Sequence, residues 1–192
     1  MKRITGTLLV MFFVTAFVSA QSNWKVDKVH SSVTFTVRHM VISDVTGSFK
    51  DFTVDLKSEK DDFSDAEVQS TIKVGSISTD NTMRDNHLKS DDFFNAEKFP
   101  EIQFKSTSFE KISDTKYKIT GDLTIRDVTK TVTFDATLNG TLKTNRGLLS
   151  AWKATTTINR FDYNLKWNKT IETGGLIVGQ DVLITLNLEL NK

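Results

Sequence analysis

From Ser31 onward the stretch SSVTFTVRHMV alternates: Val33, Phe35, Val37, His39 and Val41 share one parity, while Ser32, Thr34, Thr36 and Arg38 share the other. A period of two puts each set on its own side of a pleated chain, so the run predicts a strand with one buried and one wet face. AEVQSTIKV repeats the pattern, Ala66, Val68, Ser70, Ile72 and Val74 opposing Glu67, Gln69, Thr71 and Lys73, and its content of β-branched residues suits a pleated surface. In VTGSFKDFTVDLKSE the phase changes, with Val45, Gly47 and Phe49 on one parity and Phe52, Val54 and Leu56 on the other. A strand keeps its apolar row inward across such a change only by bending or bulging, here near Lys50 and Asp51.

YKITGDLTI and TVTFDATLNGTL alternate on either side of the short polar stretch Arg126 to Lys130, which predicts an antiparallel hairpin, with Gly121 and Gly140 marking bends. LLSAWKATTTIN and the apolar row Val178, Val182, Ile184, Leu186, Leu188 and Leu190 supply the last strands, for a count of about eight or nine. No proline-rich linker or internal repeat divides them, Pro100 being the only proline. So many strands in one domain would leave hazardous edges in an open sheet, and closure removes those edges. The predicted fold is all-β, a closed antiparallel barrel of about eight strands, a size just wide enough for side chains or one small ligand. A two-sheet sandwich is the alternative.

One stretch fits neither face of this pattern. In NTMRDNHLKSDDFF, Asn81 to Phe94, alternation gives way to a short helical insertion near residues 79–95. Thr79 or Asp80 is expected to cap a helix through Leu88, and Ser90 to cap a further turn with Asp91 and Asp92 near its positive end. Phe99-Pro100 returns the chain to a strand near Ile102. The insertion reads as a lid or mouth element, with Phe93 and Phe94 covering apolar surface.

At the N-terminus Lys2 and Arg3 precede the uncharged apolar run Leu8 to Val18, which ends in Val18-Ser19-Ala20. That is the pattern of a cleavable secretory signal over residues 1–20, followed by a single domain over 21–192. The run is too short for the roughly twenty residues of a spanning helix, so no stable membrane span is expected after cleavage. A periplasmic or secreted location follows. With 25 basic and 24 acidic residues the charge is close to balanced, which argues against nucleic acid as a partner. Cysteine is absent, so neither a disulfide nor a thiol nucleophile is available. The sequons at Asn139 and Asn168 matter only in a glycosylating host.

Four segments together resemble the YceI-like proteins: HSSVTFTVRHM (His30 to Met40), MRDNHLKSDDFFNAEKFPEIQF (Met83 to Phe104), GDLTIRDVTKTVTF (Gly121 to Phe134) and TTTINRFDYNLKWN (Thr155 to Asn168). They keep their order over almost the whole chain after the signal. The resemblance implies a lipocalin-like barrel of the bacterial periplasm, similar to proteins that hold polyisoprenoids or other long-chain amphiphiles in an elongated cavity, and it attaches no catalytic set and no cofactor. Phe161-Asp162-Tyr163 is bulkier than that family pattern and bears on the size of the pocket there.

The candidate ligand-binding residues follow from the barrel. Phe35, Val37 and His39 lie on the first inward row, and Phe94, Phe104, Phe134 and Trp152 offer aromatic surface for a core or a lined cavity. Arg84 and His87 sit in the insertion, where the forked donors of arginine suit a phosphate or pyrophosphate head. Burying a methylene is worth roughly 0.8 kcal/mol, against an association cost on the order of 4 to 15 kcal/mol, so a chain of about fifteen or more carbons is favoured over a small solute. The expected function is therefore non-enzymatic carriage of a long-chain isoprenoid or fatty amphiphile. A small secreted barrel enzyme acting on a hydrophobic substrate with His39 or His87 as base is one alternative. The other is a stress-related interaction protein with a solid core. His30, His39 and His87 lack the spacing of a zinc site, no metal is expected, and pairing of two chains as a homodimer stays open.

Overall fold

A computed structural model of the chain describes residues 22–170 and 174–192; the signal expected over residues 1–20 lies outside them. Eleven strands and one helix follow in chain order. They are β1 (Ser22–Val26), β2 (Ser32–His39), β3 (Ser43–Phe49), β4 (Phe52–Ser58), β5 (Glu67–Lys73), β6 (Ile77–Ser78), α1 (Thr82–Lys89), β7 (Glu101–Lys111), β8 (Lys116–Ile125), β9 (Val128–Thr144), β10 (Gly147–Asn159) and β11 (Val178–Asn191).

All pairings are antiparallel, and the sheet closes because β11 is shared: β2 runs beside most of its length and β1 beside its end, where Val26 faces Leu190. β3 and β4 are separated only by Lys50 and Asp51, the site where the apolar phase changes, and act as one bent strand that pairs with β2 and then with β1. A 3-10 turn at Val74–Ser76 likewise joins β5 to β6. Counting each bent pair once, and β1 with β2 as successive pieces beside β11 and the bent β3–β4 strand, the molecule is an eight-stranded antiparallel barrel, as the alternation predicts. β1 has no counterpart in the sequence reading, because five residues with one buried side chain, Trp24, carry almost no periodic signal.

The two ends differ. At the end holding β1, aromatic rings form a floor: Trp152 packs edge-on to Phe63 and Tyr117, each with ring centroids 5.1 Å away, and Trp24 and Phe109 complete the group. Its polar atoms are matched, Trp152 Nε1 donating to Ser150 Oγ at 3.1 Å and the Tyr117 hydroxyl to the Asp62 carbonyl at 2.9 Å. At the other end β6 has one strand partner, β3, and α1 packs beside it. The excursion from β6 to β7 covers this mouth.

The helix is capped one or two residues later than its sequence suggests. Asn81 is the N-cap, its side chain accepting the Arg84 N–H at 3.0 Å. Thr79 does not cap because its hydroxyl is committed to Asp85 at 2.6 Å, and Asp80 turns the chain with a left-handed φ of 56°. Ser90 closes α1, donating to the His87 carbonyl at 2.7 Å, although its own carbonyl also receives the N–H groups of Phe93 and Asn95. The β8–β9 hairpin is tighter than the polar stretch Arg126 to Lys130 implies: Ile125 already pairs with Val128, so the loop is Arg126-Asp127 alone. Among the described residues no helix is long and apolar enough to cross a membrane.

Candidate functional site

Two voids lie in line along the barrel. The inner one, about 100 Å³, sits above the aromatic floor, and apart from Thr34 and Ser70 every side chain lining it is apolar. Phe104, Phe134 and Trp152 face it. The outer one, about 210 Å³, opens at the mouth, where Val37, His39, Arg84 and His87 line it with Leu88, Trp167 and Ile177. Phe35 borders both. Its ring lies across Gly47, where even a β-carbon would be driven into the ring, so the glycine is what lets the phenyl group lie flat between the two chambers. Phe49 supports it, with centroids 5.7 Å apart. Of the sequence candidates only Phe94 lines neither void; it packs edge-on against Phe49 and holds the lid.

The mouth carries positive and neutral donors. Arg38, His39, Arg84 and His87 contribute to its lining, and no carboxylate does. Arg38 stands at the rim, paired to Asp44 at 3.2 Å. Arg84 spends Nε on the Thr79 hydroxyl, 2.7 Å, and Nη2 on the Thr79 carbonyl, 2.8 Å. Among the described residues Nη1 donates to no partner, so the guanidinium is fixed in place without being saturated by them. The His87 ring is clamped edge-on between Phe93 and Trp167, with Nε2 2.8 Å from Asp92. The carboxylate orients the imidazole, and no hydroxyl is hydrogen-bonded to this ring among the described residues. His39, placed on the inward row by the alternation, is half-buried and lines the outer void.

Two arginines that sequence reasoning passed over fasten the cover. Arg126 donates to the carbonyls of Asp91, Phe93 and Asn164 and pairs with Asp91 at 3.1 Å. Arg160 is only 3% exposed and donates to the carbonyls of Leu165, Trp167, Val178 and Gly179. Burial lowers its affinity for the proton, and the ring of Phe161, 4.3 Å from the guanidinium carbon, partly offsets the lost water. Beside it Tyr163 is fully buried and its hydroxyl pushed up to about 12 by desolvation. Neither Phe161 nor Tyr163 lines either void. An arginine inside the aromatic run RFDY was the available signal.

A third group of ligating atoms, from Asp27, His30 and Glu189, lies within 4.8 Å at the floor end, remote from the mouth. The Asp27 carboxylate already accepts the Val29 N–H at 2.8 Å and meets His30 Nδ1 at 3.0 Å. The hydrogen bond to Asp27, reinforced by its charge, raises the His30 pKa and lowers that of Asp27. This is a bracket for the turn between β1 and β2.

The model of the YceI-like domain family matches residues 24–190. A UPF0312 protein of Staphylococcus aureus (strain N315) is 38% identical over 172 residues, covering 88% of this chain and 98% of the relative. Among solved structures, Burkholderia cenocepacia BcnA superposes with a TM-score of 0.75 at 24% identity, over 85% of this chain and 98% of that one. A protein from Saccharophagus degradans described as a polyisoprenoid binding domain implicated in plant cell wall breakdown shares the fold at a TM-score of 0.63 and 12% identity, over 88% of this chain and 97% of that one.

Proposed function

The chain belongs to the YceI-like family, and on that premise we propose that it binds and carries a long-chain isoprenoid or similar amphiphile without acting on it chemically. The observation that carries this reading is a pair of apolar chambers along one axis, separated by a single ring, with two arginines and two histidines bordering the outer one. Such an arrangement holds an anionic head outside and a hydrocarbon tail inside. The description of the Saccharophagus degradans protein supports the same ligand class.

Neither void alone reaches the roughly 300 Å³ at which small-molecule pockets begin, but the two joined do. Cargo therefore enters by displacing Phe35. A periplasmic or secreted location agrees with the signal read at residues 1–20. The test is native mass spectrometry of the purified protein, with lipid extraction and titration with a long-chain prenyl phosphate. A stoichiometric complex is expected, weakened about tenfold when Arg84→Ala and His87→Ala together remove the charge-assisted contacts to the head. A protein that stays empty and takes up no prenyl phosphate would overturn the reading.

A further inference from the structure

The turn between β2 and β3 is built from Met40, Val41 and Ile42, exposed by 42%, 56% and 84%. Three consecutive apolar residues at a hairpin tip are unusual, and the backbone makes them more so. Ile42 N–H donates to the His39 carbonyl at 3.2 Å, and both residues inside this turn are left-handed, Met40 at φ 49° and Val41 at φ 68°. Left-handed pairs favour Asn-Gly, and a β-branched residue there is strained. The chain thus holds methionine and valine where local energetics call for asparagine and glycine.

The position of the tip limits what it can be for. β2 brings Val37 and His39 into the lining of the outer void and then runs straight into Met40, whose N–H donates at 2.9 Å to the carbonyl of Ile177, another lining residue. On α1, Met83 is 83% exposed beside Arg84. Trp167 lies at the same opening, with the Lys169 ammonium 5.9 Å from its ring. Asp44 and Asp92 pair with Arg38 and His87, which leaves Arg84 and Lys169 as the basic groups beside these apolar points and the tryptophan, the chemistry of a surface that meets lipid head groups.

We infer that this rim, led by the tip Met40-Val41-Ile42, docks the mouth on an anionic lipid bilayer and so lets an amphiphile pass between membrane and barrel. The inference rests on the carrier reading for its purpose but is tested separately from it. Flotation with vesicles of phosphatidylethanolamine and phosphatidylglycerol compares the full chain with a Met40→Asn, Val41→Gly, Ile42→Thr variant, whose turn sequence suits the observed backbone. The variant is expected to melt no lower than the parent and to bind the vesicles about tenfold less. Affinity for farnesyl phosphate, whose tail has the roughly fifteen carbons that burial favours, titrated without vesicles, is expected to be unchanged. A parent protein that does not float, or a variant that floats equally well, overturns docking whatever the titration shows. A dimer of the parent that the variant dissolves, without flotation, overturns it in favour of contact between two copies. Tip-dependent flotation with no uptake of the prenyl phosphate upholds docking and removes the carrier reading alone.

Discussion

Arg160 shows how much of this molecule rests on a single side chain. It is a buried cation that, among the described residues, satisfies four backbone carbonyls, from Leu165 and Trp167 on one side and Val178 and Gly179 on the other. Carbonyls at the ends of irregular segments have no strand to bond to, and each left unmatched in a dry site costs roughly 1–3 kcal/mol. Arg160→Met keeps the volume and removes every donor. It is expected to lower stability by about 2–4 kcal/mol, read as a drop in the urea midpoint, and to loosen Trp167, read as a red shift in tryptophan emission. The sequence could not announce this role, because the partners lie as far as 19 positions away and only the fold brings their carbonyls together. Arg84 was legible to a greater degree. Its place in a segment that breaks the strand pattern marked it for the mouth, yet its anchor on Thr79 depends on Thr79 already being held by Asp85.

Elements whose signal is periodic could be read directly, and those whose signal is a single cap or a long-range contact could not. The phase change at Lys50 and Asp51 located the bend between β3 and β4 because a row of apolar residues has only one way to stay inside. β1 escaped notice, being short, and the cap of α1 was placed one or two residues early because three consecutive polar residues, Thr79, Asp80 and Asn81, all have capping side chains. Hydrogen bonding decides among them, and it selects Asn81. α1 buries no residue completely, so its own cap matters more than it would for a helix pressed into a core. Asn81→Ala is expected to cost about 1 kcal/mol and to show first as faster amide exchange in α1, before any change in global melting. Exchange that stays as slow as in the parent would mean that the Thr79, Asp85 and Arg84 network holds the lid without its cap.

At the scale of the whole barrel, the decisive feature is that its interior is divided. The aromatic floor is filled, the inner chamber is small, and the outer chamber is larger, apolar on its walls and bordered by basic side chains. Interiors close-pack because dispersion contacts are lost across a gap, so an unliganded carrier relaxes toward the smallest void its side chains permit. Phe35 is the side chain that can yield: it is half-buried, stands on the Gly47 backbone, and touches both chambers, whereas Val33 two residues earlier is locked in the core. Phe35→Ala joins the chambers permanently. Truncating a buried phenylalanine costs about 3–5 kcal/mol, and a half-buried one less, so the variant is expected to fold with a Tm several degrees lower. Without cargo it carries a cavity; with cargo the chain fills that cavity, so added prenyl phosphate will raise the variant's Tm more than the parent's. Uptake will also be faster, because no ring has to move first. Equal thermal shifts in the two proteins would mean that the chambers already communicate around Phe35, and a variant that binds nothing would make the ring part of the site instead of its gate.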